Sequence, residues 1–177
     1  MRRPLKVACG VTCLALLGIA TLAVRRHRSS QAEALSGLYN GTSLIPKNAP
    51  AISSSALREL ISADFLVVTD IRQLPSRVKD SFCNVQHCNY VGVKFDMVNP
   101  DETNSTDLIV PGVPNRRLVF AGLNKDSAVL VYEVGSYASF LRASILDFKT
   151  GAAWNGNVRD VKNMRDLRTF LAQENHN

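Results

Sequence analysis

The run "VACGVTCLALLGIATLAV", Val7 to Val24, carries no charged residue. Arg2, Arg3 and Lys6 precede it, and Arg25, Arg26 and Arg28 follow. As a helix rising 1.5 Å per residue it spans about 27 Å, close to the ~30 Å hydrocarbon core of a bilayer. A helix buried in a soluble core keeps a polar face, whereas this run is apolar or small all round. It predicts one transmembrane helix within residues 1–28, with the lipid bilayer as its partner and Cys9 and Cys13 facing lipid. A cleavable signal peptide is the rival, because "MRRPLK" suits its n-region and "TLA" ending at Ala23 suits a cleavage site. Against that, the run exceeds an h-region of roughly 7–15 residues, and "RRHR" follows at once. Equal basic flanks leave the positive-inside rule nearly balanced. The α-amino group and the targeting behaviour of a first helix tip the orientation toward the domain lying outside. The expected location is the cell inner membrane, single-pass, with the domain outside the cytoplasm. Secretion or periplasmic release after signal cleavage is the alternative.

The net charge of +6 has to be read by position. Six of the 21 Lys and Arg lie within the first 28 residues and no acid precedes Glu33, so the remainder holds 15 basic against 15 acidic groups. A nucleic-acid footprint clusters on the folded domain. This one does not, and nucleic acid is set aside as a partner.

Residues 29–51, rich in Ser, Asn, Gly and Pro, read as a linker. A single globular domain is expected over 52–177. "SSSALRELISAD" offers N-cap serines and apolar Leu57, Leu60 and Ile61 at helical spacing. "FLVVTDI", Phe65 to Ile71, reads as a buried strand. "LPSRVKDSF" reads as a short helix with Pro75 in its first turn, and "YVGVKFDM" alternates as a strand. A long polar loop is expected from Val98 to Pro114. "RRLVFAGL" and "AVLVYEVG" flank "NKDS" as a hairpin, and Tyr132 within it reads as core. "SFLRASILDF" alternates, with Leu141, Ala143 and Ile145 on one face and Arg142 and Ser144 on the other. "KTG" is a turn and "AAWNG" a last strand. Val161, Met164, Leu167, Phe170 and Leu171 form the stripe of a closing amphipathic helix. Successive strands bracketed by helices predict an α+β domain with a mainly antiparallel sheet, preceded by the N-terminal transmembrane helix.

The stretch Asn99 to Gly135 contains an "NP-x-E" loop, a "TDLI" step and the "RRLVFAG" strand. It resembles a stretch found in small, uncharacterised exported or membrane-anchored proteins of environmental bacteria. The resemblance implies export and the hairpin, and brings no activity or functional residue with it.

"SFCNVQHCNYVGVKFD" contains the candidate site, with Cys83 and Cys88 five apart and His87 beside the second. In an oxidising compartment two thiols so placed in a loop can reach the 4.4–6.8 Å Cα separation of a disulfide. A metal site would use Cys83, His87 and Cys88, but structural zinc wants four ligands and no second Cys/His cluster exists in the sequence. Redox catalysis would show C-x-x-C at a helix start, which this spacing is not.

Other templates fit worse. His87 is the only histidine placed for a Ser-His-Asp arrangement, and no G-x-S-x-G elbow or Gly-rich phosphate loop occurs. "SRVK" at Ser76–Lys79 and "KTG" at Lys149–Gly151 match the order in penicillin-binding enzymes without the length or the intervening element. Asp96, Asp101, Glu102 and Asp107 crowd one loop, lack EF-hand spacing, and read as a solvated acidic loop rather than a calcium site. Tyr132, Tyr137 and Trp154 are the aromatic candidates for a recognition surface.

Two functions remain. One is a membrane-tethered extracytoplasmic binding or accessory module, non-catalytic, without a cofactor and with a protein or envelope partner. The other is a small envelope enzyme or thiol- or metal-active protein using Cys83, His87 and Cys88.

Overall fold

The computed structural model describes residues 37, 39, 43–88, 92–102, 110–135 and 140–174. The described residues all belong to one unit, Leu35–Asn177, of a chain that divides after Ala34. The stretch before it, with the Val7–Val24 run, lies outside the described residues. Among the described residues no helix is long and apolar enough to cross a membrane.

This unit is α+β. Helix α1 (Ser54–Ser62) leads to a short strand β1 (Leu66–Val68), a 3-10 turn (Ile71–Gln73) and helix α2 (Ser76–Gln86). Strands β2 (Arg116–Leu123), β3 (Ser127–Val134), β4 (Phe140–Asp147) and β5 (Ala152–Asn157) follow, and helix α3 (Met164–Glu174) closes the chain. The strands form one antiparallel sheet in the order β1-β2-β3-β4-β5.

Side chains on a strand alternate between faces, and β3 shows what that produces here. Ala128, Leu130 and Tyr132 belong to one core cluster, with Phe82 of α2, Leu118 and Leu146. Val129 and Val131 belong to a second, with Leu57 and Ile61 of α1 and Leu167 and Leu171 of α3. The sheet is therefore covered on both faces, by α2 on one side and by α1 and α3 on the other. That explains why "AVLVY", Ala128 to Tyr132, is a continuous apolar run instead of a half-buried alternation.

The helix ends are tied down locally. The Ser53 hydroxyl accepts from the Ala56 N–H at the start of α1. At its far end the Arg168 guanidinium of α3 donates to the Ile61 and Ala63 carbonyls at 2.7 and 2.8 Å. Asn163 Oδ1 accepts the N–H groups of Arg165 and Asp166 before α3.

Four expectations need correction. The core reaches back into the stretch read as linker, because Tyr39 and Ile45 are buried in the α2-side cluster. Tyr39 donates to the Ser127 carbonyl at 3.0 Å, and the Ile45 N–H donates to Ser81 Oγ at 3.1 Å. The strand over Phe65–Ile71 is not buried: it is three residues long, stands at the sheet edge, and leaves Leu66 43% and Val67 49% exposed. The described part of "YVGVKFDM" is turn and bend instead of strand; beside it, Val98 alone bridges to Arg117. There Phe95 stacks edge-on against Phe82 of α2, so the apolar alternation serves packing on a helix. The helix at Pro75 is also longer than its pattern suggests, running to Gln86.

Candidate functional site

Cys83 lies in the last turn of α2 and Cys88 follows the helix end, with their sulfurs joined as a disulfide across a Cα separation of 4.7 Å. The pairing predicted from sequence is therefore present, although Cys83 is helical and not in a loop. His87 between them takes a left-handed conformation, φ 55°, and its N–H donates to the Cys83 carbonyl. Its side chain faces solvent, while Cys83 and Cys88 are buried. The bonded sulfurs leave no thiolate for zinc or for nucleophilic work. No cluster of metal-ligating side chains occurs among the described residues. This corner is a staple that fixes where α2 stops. Gln86, held in place by it, donates to Ser144 Oγ at 3.0 Å and to Asn155 Oδ1, and Ser144 donates to Asn155 Oδ1 at 2.7 Å.

The acidic loop is dismantled by the fold. Asp96 is fully buried and pairs with Arg116, which lies over the rings of Phe82 and Tyr132 at 5.8 and 6.0 Å. Glu102 accepts from Asn99 Nδ2 at 2.7 Å. Asp107 and Tyr137 lie outside the described residues. Of the remaining aromatic candidates, Tyr132 is core, as predicted, and Trp154 lies half-buried over Gly156, lining a pocket with Lys47, Ala49 and Asn155. Ser76 and Lys149–Gly151 stand on separate elements, and Lys79 lies over the Phe95 ring at 5.7 Å, where burial lowers its pKa. They assemble no site.

A different surface emerges at the end of the sheet where β1 begins. A cleft of about 480 Å³, within the range of small binding sites, opens between the end of α1, the β2–β3 turn and the β4–β5 turn. Glu59 and Asp64 come from the α1 side, Lys125 and Asp126 from the first turn, and Asp147 and Lys149 from the second. The turns are rigid. Asn124 Oδ1 accepts from the N–H groups of Asp126 and Ser127 and from Ser127 Oγ, and Asp147 accepts the N–H of Lys149 at 2.9 Å and the Thr150 hydroxyl. Glu59, Asp64 and Asp126 are exposed and enter no ion pair among the described residues. Four carboxylates against two lysines leave the rim acidic.

The cleft lies past the N-terminal end of β1, and none of Leu66–Val68 lines it. Asp64 lines it two residues before Leu66, and Asn124 lines it one residue after Leu123, the partner of Leu66 in the sheet. Beyond it run Leu66 and Val67, exposed, on a strand whose outer edge meets no other strand among the described residues. Sequence reading missed this surface. Its carboxylates come from three segments with no common spacing, and the exposure of β1 depends on its place in the sheet.

Compared with protein-family models, with curated proteins and with solved structures, the chain matches none.

Proposed function

We propose that this chain is a non-catalytic binding or accessory module, tethered by its N-terminal helix to the cell inner membrane and facing out of the cytoplasm. The observation that carries the binding role is the apolar edge strand β1 beginning beside an acid-rimmed cleft. Exposed, uncharged sheet edges are templates for pairing and are ordinarily blunted; Leu66–Val68 is short but carries neither charge nor proline. The outward orientation draws support from the Cys83–Cys88 disulfide, since such bonds persist in oxidising compartments. The resemblance over Asn99 to Gly135 to exported bacterial proteins points the same way. Metal binding or thiolate chemistry needs the two sulfurs free, whereas here they are bonded, and disulfide exchange needs an accessible sulfur, whereas Cys83 and Cys88 are both buried.

The test is a reporter active only outside the cytoplasm, fused after Asn177, with thiol labelling of intact cells. An active reporter, with Cys83 and Cys88 unreactive until reductant is added, is the expected result. A silent but stably expressed fusion, with both thiols free, overturns the proposal.

A further inference from the structure

We infer that the β1 edge and its cleft receive an extended polypeptide strand whose C-terminal end carries basic side chains. This rests on reading that surface as the binding site and adds the chemistry of what it binds.

Every strand pair in the sheet is antiparallel, so a sixth strand laid against β1 in the same sense continues the existing pattern. Its aliphatic side chains would meet Leu66 on one face and Val67 on the other, since neighbours on a strand point opposite ways. An antiparallel partner has its C-terminal end beside Leu66, the end at which the cleft opens. There it meets the exposed carboxylates of Glu59, Asp64 and Asp126, which outnumber Lys125 and Lys149. Opposite charges across such a rim select the partner and speed its arrival. At the other end of β1 the Asp70 carboxylate is bound bidentately by Arg72, with Nε at 2.9 Å and an NH2 contact at 2.8 Å. Asp101 and Glu102 also lie near that guanidinium, so acid stands at both ends of β1 and the partner's direction rests on the antiparallel pattern and the cleft. A second copy of β1 would bring Asp70 and Arg72 toward the cleft, but these are already paired with each other.

The test uses the full chain in detergent micelles and two synthetic peptides. One alternates valine and threonine and ends in two C-terminal lysines; its twin ends in two glutamates. The lysine peptide should bind at least ~10-fold tighter than its twin, with the difference shrinking as salt is raised. Leu66→Lys with Val67→Lys, both at exposed positions, should weaken it ~10-fold or more by setting charge on the edge. Glu59→Gln, Asp64→Asn and Asp126→Asn together should bring the two peptides to within ~3-fold of each other. Circular dichroism of both variants confirms that they fold. Equal binding of the two peptides, or binding indifferent to both variants, overturns the inference. A doubled mass in sedimentation that is lost in the double lysine variant also overturns it, because the edge then takes a second copy. None of these results touches the membrane tether or the outward orientation, which fall only to the reporter and thiol experiment.

Discussion

Asp96 shows how a single residue changes meaning between sequence and fold. In the sequence it belongs to an acidic loop. In the structure it has no exposure, accepts the Asn115 N–H at 2.8 Å and pairs with Arg116, itself nearly buried. Removing one member of such a pair strands the other charge away from water. Asp96→Ala should cost about 3–5 kcal/mol, read from urea unfolding. Burial raises the Asp96 pKa above the usual carboxylate value, while the Asn115 N–H and Arg116 pull it back. Between the usual value, about 4, and the raised one, the folded chain keeps a proton that the unfolded chain has released. The unfolding free energy contributed by this group therefore falls as pH rises through that window. Urea unfolding across the window should show Asp96→Asn losing this part of the slope.

Among the elements, α2 depends most on a cross-link. Its disulfide closes a ring of six residues around the left-handed turn at His87. In the chain-entropy model this contributes about 2 kcal/mol. Cys83→Ser with Cys88→Ser should lower stability by about that amount in urea unfolding, as should full reduction of the native chain. A larger loss would mean that the staple also carries the Gln86–Ser144–Asn155 contacts. The long elements were legible from local pattern. The β2–β3 hairpin, the alternation of β4 and the stripe of α3 from Met164 onward follow from side-chain period, and Ala143, Ile145, Leu167 and Leu171 are buried as that period requires, whereas Val161, read as part of that stripe, is buried ahead of the helix. The short ones were not. Apolar residues at 65–71 and 91–97 carry the same signal whether they pair, pack on a helix or stand at an edge.

At the scale of the molecule, a sheet whose neighbours are all consecutive in sequence and whose two faces are both covered has its most protected strand at the centre. Five of the eight residues of β3, Ala128 to Tyr132, have no exposed surface. Their amides should be the slowest to exchange in native-state hydrogen exchange, and those of β1 among the fastest of the sheet. Comparable protection in β1 would mean that its outer edge is covered in solution.

What the sequence determined alone was local and compositional: the apolar Val7–Val24 run, the neutral remainder, the helix and strand periods, and a cysteine pair at disulfide reach. These depend on neighbours within a turn or a strand, so the order of residues suffices to set them. The tertiary structure decided which strand stood at the edge, which acid was buried and which carboxylates shared a cleft. Glu59, Asp64, Asp126 and Asp147 meet only because α1 and two hairpin turns end at the same corner of the sheet. That meeting is a property of packing, and no spacing along the chain encodes it.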